Sequence, residues 1–336
     1  LTSSLTDTLG RVRALLEPAL RDVVAGLHPW GGDMAAFSLG WTEADGTPAG
    51  AQGGKALRPA LAVLCAEAVG GSPEQAVPGA LAVELVHAFS LVHDDIIDHD
   101  EQRRHRDSVW KAFGVGPAVL TGDALLALAI NRLAATGNGP AMHRLSAALV
   151  ELVNGQTEDM AFEDRPWTGR NAVTLDEYCA MAARKTGSLL GCAAAVGVTL
   201  GGGSAAQADQ VHEVGRELGV AFQIADDLLG IWGDPDVTGK PVYSDLRRGK
   251  KTLPVLAALA AGGPAAGDLA DLLAAGATGD EPVRQAAQLI EEAGGRAFAM
   301  ELADRRVEAA LAALDACLPS ATTLRALCLT LVNRTR

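Results

Sequence analysis

Aromatic side chains are scarce in this chain: Phe, Tyr and Trp together make up only 4% of it. The apolar fraction, 49% of all residues, comes chiefly from Ala, Leu and Val and shows no regular alternation of β-branched residues, so an all-α protein is expected. Positive charge is also in short supply. A net charge of −13 excludes a general nucleic-acid binder, because gripping a phosphate backbone needs a broad basic surface. The five cysteines (Cys65, Cys179, Cys192, Cys317, Cys328) form no CxxC pair and have no histidines at zinc spacing; reduced thiols are expected, without disulfides or structural zinc. The N-terminus lacks the basic, apolar, small-residue order of a secretion signal, which gives a cytoplasmic reading. The most apolar stretch, Leu189 to Leu200, is short and rich in Gly and Ala, so close helix packing is expected there and no transmembrane segment.

What is present is helical periodicity. With 336 residues and half of them apolar, a large core is within reach, and no composition shift divides the chain, so 1–336 reads as one domain. An amphipathic pattern spans about 6–25, and 28–54 reads as a loop. Helices then follow at about 55–69, 76–98, 117–135, 140–163, 174–200, 205–230, 251–261, 281–294, 296–316 and 320–334, separated by Gly, Pro and Asn. Residues 231–251 concentrate Gly, Pro and charge between apolar helices, which suits either a plain solvated connection or a lid that closes Lys and Arg over an anion.

The chemistry-bearing segments sit on this helical frame. In HAFSLVHDDIIDHDEQRRH, a rotation of about 100° per residue puts His87, Asp94 and Asp98 on one narrow stripe, with Asp95 a step around. Carboxylates four residues apart repel each other unless a cation lies between them. Mg²⁺ is held by one or two carboxylates plus water and phosphate oxygens, so DDIID suits Mg²⁺ with a diphosphate. The alternative is a solvated acidic helix end; the apolar AFSLV run that leads into the motif argues instead for the mouth of a buried space.

A second acidic segment, FQIADDLLG, sets Gln223, Asp226 and Asp227 on another apolar helix. Two such faces, opposed across a cavity, would supply a bridging metal cluster. Basic residues cluster at Lys55-Ala56-Leu57-Arg58-Pro59 after a Gly pair, at Arg103-Arg104, at Arg184-Lys185-Thr186-Gly187, and at Lys240 and Lys250-Lys251. Guanidinium forks suit phosphate oxygens and Gly admits close backbone approach, so the set points to substrates that carry several phosphates.

These motifs, in this order from about Gly53 through Pro254, resemble the trans-isoprenyl diphosphate (polyprenyl) synthases, and most of all the bacterial geranylgeranyl diphosphate synthases. The resemblance implies an isoprenoid-synthase helical bundle around a central apolar cavity, Mg²⁺ (three ions with substrate bound), two substrates and a homodimer. It assigns Asp94 and Asp98, with Asp95 in support, to Mg²⁺ at the allylic diphosphate, and Asp226 and Asp227 to the remaining ion. It assigns Lys55, Arg58, His87 and Arg104 to isopentenyl diphosphate, and Arg103, Lys185, Thr186, Gln223 and Lys240 to the allylic diphosphate. Two positions depart from the family pattern: Ala56 stands where Arg is common, and Gly230 where the second motif usually ends in Asp. The second departure removes a carboxylate, so Asp227 with water, or Asp234 from the loop, must complete the last site.

The implied reaction is ionisation of the allylic C–O bond, attack by the double bond of isopentenyl diphosphate, and loss of a proton with no dedicated protein base. Water must be kept out, which gives a 231–251 lid a purpose. Phe89 lies about 7.5 Å below Asp94 along a helix, with small Ser90 beside it. The pair is either ordinary core or a floor that limits product length, by resemblance to twenty carbons, with fifteen as the alternative. Rival readings are a class I terpene cyclase, whose second motif is absent, and a noncatalytic subunit of a heteromeric synthase.

Overall fold

The computed structural model describes residues 3–50, 56–103, 105–235, 242–276 and 279–332. Lys55, Arg104 and Lys240, together with part of the expected lid, lie outside the described residues. The fold is all-α, as composition implied. In chain order the helices are α1 (Ser3–Ala25), α2 (Pro29–Ser38), α3 (Leu57–Ala68), α4 (Pro73–Ile97), α5 (Val109–Phe113), α6 (Val115–Ala134), α7 (Gly139–Glu163), α8 (Leu175–Ala182), a π-helical turn (Ala183–Gly187), α9 (Ser188–Leu200), α10 (Ala205–Trp232), α11 (Ser244–Arg247), α12 (Leu253–Ala261), α13 (Gly263–Ala274), α14 (Asp280–Glu292), α15 (Gly295–Cys317) and α16 (Thr322–Val332). A two-residue antiparallel pair, β1 (Gln102–Arg103) with β2 (Arg106–Asp107), precedes α5.

The chain divides into two compact units. The first comprises 1–147, 192–212 and 315–327; the second comprises 148–191, 213–314 and 328–336. In the first unit α4 packs against α3 and α6. The faces that meet there are aliphatic and closed, with Leu61, Val63, Leu81, Val83, Leu85, Val86, Leu125 and Leu133 buried; each such side chain contributes roughly 1.5–3 kcal/mol on leaving water. Pro73 begins α4 at a position where its missing N–H costs nothing, and the Ser72 N–H donates to Gln75 Oε1 at 2.7 Å to close the first turn. Helices α4 and α6 are long and apolar enough to cross a bilayer, a property the sequence reading had not assigned to them.

The second unit has two apolar clusters. One joins Phe162, Tyr178, Met181, Val220, Ile224, Leu228 and Leu253; the other joins Ile231, Leu246, Val255, Leu269, Val283 and Ile290. Helix α8 starts with a reciprocal cap, Glu177 N–H to Thr174 Oγ1 at 3.2 Å and Thr174 N–H to Glu177 Oε2 at 2.8 Å.

Several elements differ from the sequence reading, among them the short helices α5 and α11 and the β1–β2 pair, none of which was expected. Helix α2 lies inside the span read as a loop; Gly31 and Gly32 weaken its helical signal, while Pro29 starts it and Met34, Ala35 and Phe37 bury its face. Helix α13 was not expected. The run read as one helix over 174–200 is broken by the π-helical turn.

Candidate active site

In the first unit the acidic motif ends α4. Asp94 and Asp98 stand one turn apart, both half-buried, with Asp98 at the C-cap and its N–H donating to the Asp94 carbonyl at 2.8 Å. A helix C-terminus is the negative end of the macrodipole, so two carboxylates there cost stability and call for a cation. Asp95 lies a step around the helix. It is 3% exposed, and its carboxylate accepts from Arg103 Nε at 2.9 and 3.0 Å, with Arg103 Nη2 at 2.7 Å.

Local structure holds Arg103 in place. It sits on β1, whose partner β2 carries Arg106; Arg106 donates to the Thr42 carbonyl at 2.5 Å and lies 4.7 Å over the Phe37 ring of α2. The helix hidden by its glycines therefore anchors the hairpin that presents Arg103. About two turns before Asp94 on α4, His87 Nε2 lies 3.1 Å from Arg58 Nη1, which joins two residues that the sequence placed together only by resemblance. Phe89 is 9% exposed, and Ser90 Oγ donates to the His87 carbonyl at 2.9 Å.

In the second unit hydrogen bonds tie the basic motif to α7 through Lys185 and to the second acidic motif through Thr186. The π-helical turn carries Lys185 and Thr186. It is pressed from one side by Gly155 of α7, where a Cβ would overlap the Lys185 backbone, and from the other by Gly219 of α10, where a Cβ would overlap Gly187. Such bulges recur at functional sites. Lys185 Nζ meets Asp159 Oδ2 at 2.5 Å. Thr186 Oγ1 donates to Gln223 Oε1 at 2.7 Å, and Gln223 Nε2 donates to Asp227 Oδ1 at 3.0 Å.

The two aspartates of the second motif have different surroundings. Asp226 is exposed. Asp227 is 5% exposed and its Oδ2 accepts from the Tyr178 hydroxyl at 2.5 Å and the Leu253 N–H at 2.9 Å. Burial raises the Asp227 pKa to about 7; hydrogen bonds from Tyr178, Leu253 and Gln223 pull it down and the charge of Asp245 pushes it up. Burial and the Asp227 charge also raise the Tyr178 pKa.

Gly230 has a neighbour that the sequence could not name. A Cβ at Gly230 would overlap the Asp245 carboxylate, and Ser244 Oγ donates to the Gly230 carbonyl at 3.2 Å, so α11 is docked on the end of α10. The Asp245 carboxylate occupies the space beside Gly230. Lys251 is 7% exposed, with Nζ 3.5 Å over the Trp167 ring and 3.3 Å from the Glu163 carbonyl; burial lowers its pKa.

Among the described residues no three His, Cys, Asp or Glu side chains gather into a metal cage. One or two carboxylates with water and phosphate oxygens is the ligand set that Mg²⁺ favours, so Asp94 with Asp98, and Asp226, fit Mg²⁺ delivered with a diphosphate.

Residues 48–290 match the polyprenyl synthetase family. The chain belongs to that family. It is 44% identical over 314 residues to a (2E,6E)-farnesyl diphosphate synthase of Mycobacterium tuberculosis, covering 91% of this chain and 86% of the relative. It is 43% identical over 311 residues to a geranylgeranyl diphosphate synthase of the same organism, covering 91% and 87%. Its fold superimposes on the crystal structure of a polyprenyl synthetase from Streptomyces coelicolor with a TM-score of 0.90 and 47% identity, over 98% of this chain and 99% of that one. As a polyprenyl synthetase the chain is a transferase, a prenyl diphosphate synthase.

Within this polyprenyl synthetase the sequence motifs separate into distinct local roles. Asp95 and Asp227, which the spacing alone groups with their neighbours, are buried and accept from protein donors, whereas Asp94 and Asp98 are half-buried and Asp226 is exposed. Sequence reasoning missed Asp159, Tyr178 and Asp245. Asp159 had a signal: it lies one helical turn after Gly155, the residue against which the Lys185 backbone packs.

Proposed function

We propose that this enzyme is a Mg²⁺-dependent trans-prenyltransferase that condenses isopentenyl diphosphate with an allylic diphosphate, with geranylgeranyl diphosphate, C20, as its main product. The supporting observation is the π-helical turn, whose Lys185 pairs with Asp159 and whose Thr186 is linked through Gln223 to Asp227, so that anion-binding side chains stand beside the second acidic motif. The reading treats 1–336 as a single catalytic domain, cytoplasmic and homodimeric; apolar side chains exposed on α6, Val115, Val119, Leu120 and Ile130, suit a second copy.

Asp94, Asp98 and Asp226 would hold Mg²⁺, three ions with substrate bound, and Asp95 and Asp227 would act from behind by fixing Arg103 and Gln223. When bound, the metal neutralises charge on the departing diphosphate so that the allylic C–O bond ionises. Arg103, Lys185, Thr186, Gln223 and Lys240 bind and orient the allylic diphosphate. Lys55, Arg58, His87 and Arg104 hold isopentenyl diphosphate with its double bond toward the cation. Residues 231–251 exclude water, and Phe89 with Ser90 closes the space in which the chain grows.

A farnesyl product, C15, is the second reading, favoured by the 44% identity to a synthase of that name. The reaction class is tested with Asp94→Ala and Asp226→Ala. Each is expected to abolish condensation in a folded protein; full turnover in either removes that residue from the metal site.

A further inference from the structure

His93 immediately precedes Asp94 on α4 and has no part in the reaction outlined above. It is a quarter exposed, and its environment comes from α6: Nε2 is 3.1 Å from the Val119 carbonyl and 3.9 Å from Asp123 Oδ1. The imidazole seats in a notch at Gly122, where an added Cβ would overlap Nε2 and Cδ2 and stand 3.1 Å from Cε1. On its other side the ring meets Phe89, one turn earlier, edge to face, with centroids 4.9 Å apart and planes at 71°.

We propose that His93, seated against Gly122, is a positioning residue that fixes the Phe89 ring and so sets the length at which the prenyl chain stops growing. The inference rests on the reading of Phe89 as the floor. A phenylalanine on a helix has two accessible χ1 wells, and a ring packed at i+4 blocks movement to that side. Ser90 cannot brace Phe89 in the same way, because its hydroxyl is spent on the His87 carbonyl. His93 in turn cannot swing aside without giving up the Val119 carbonyl, and the notch exists only while residue 122 has no side chain.

The test is product length with Mg²⁺, isopentenyl diphosphate and a C5 primer for the wild type, Phe89→Ala, His93→Ala, Gly122→Ala and Phe89→Ala/His93→Ala, with thermal unfolding as the check on folding. Phe89→Ala and His93→Ala are each expected to move the main product toward longer homologues. The double variant is expected to go no further than Phe89→Ala alone, because contacting residues that act as a unit are non-additive. A merely structural His93 would lower turnover and Tm and leave the length ratio unchanged. Gly122→Ala is expected to match His93→Ala; should it fail to fold, His93→Ala, which adds no volume, carries the test. If Phe89→Ala leaves the length unchanged, the floor reading falls and this inference falls with it. If Phe89→Ala lengthens the product while His93→Ala keeps the wild-type length, or if the two shifts simply add, the floor stands and the inference is overturned.

Discussion

Tyr178 and Asp227, 49 residues apart in sequence, share a 2.5 Å hydrogen bond in the buried interior of the second unit. The phenol is one of several donors that let a carboxylate sit away from water beneath the exposed Asp226. Removing it leaves a buried acceptor short of a partner, which costs about 1–3 kcal/mol. Tyr178→Phe is expected to lower the unfolding free energy by that amount, read as a lower urea midpoint with an unchanged m-value; an unchanged midpoint contradicts the structural role given to Asp227.

The pair of Asp95 and Arg103 makes a different prediction. Asp95→Asn removes the negative charge that orients the guanidinium through three contacts. The lost charge-assisted bonds should cost about 1.5–3 kcal/mol of stability. Because Arg103 then samples other directions, KM for the allylic substrate is expected to rise about tenfold, the equivalent of 1.4 kcal/mol. Steady-state kinetics with the wild-type KM retained would remove Asp95 from the positioning of Arg103.

Most of the architecture was legible from residue pattern, because long aliphatic helices punctuated by Gly and Pro leave few alternatives. Helix α2 was hidden because Gly31 and Gly32 dilute its periodicity, and it was recovered only through what it buries. The π-helical turn was invisible for a different reason: no residue pattern in Ala183–Gly187 separates it from the α-helix on either side, and the close approaches of Gly155 and Gly219 that flank it are tertiary contacts. Motif spacing placed Asp94 and Asp98 together, yet it could not separate Asp226 from Asp227, since which of two adjacent carboxylates turns inward depends on Tyr178 and Leu253. The missing carboxylate at Gly230 was plain in the sequence; that the Asp245 carboxylate fills the gap needs the fold.

Metal dependence should be measurable without turnover. If Asp94 and Asp98 bind Mg²⁺ together with a diphosphate, Mg²⁺ with inorganic pyrophosphate stabilises the wild type by about 2.7 kcal/mol at a hundredfold excess over Kd. EDTA should reverse the shift, and Asp94→Asn should not show it. An equal shift in that variant would place the ions elsewhere.

Acid behaviour is predicted at the start of α8. Hydrogen bonds from Arg165 and the Thr174 cap lower the Glu177 pKa from 4.5 to about 2. A depressed carboxylate stabilises the fold above its unfolded pKa, and that contribution is lost as pH falls from about 4.5 through about 2. Arg165→Ala is expected to return the Glu177 titration toward 4.5, read by carboxyl NMR. The accompanying stability change is small because the carboxylate is well solvated. A midpoint that stays near 2 would assign the shift to the cap alone.

The central claim is tested most directly by giving the purified protein Mg²⁺, isopentenyl diphosphate and, in turn, C5, C10 and C15 allylic primers, and sizing what forms. A linear twenty-carbon diphosphate from each primer is the predicted result. A cyclic hydrocarbon, or no consumption of isopentenyl diphosphate with any primer, would contradict it.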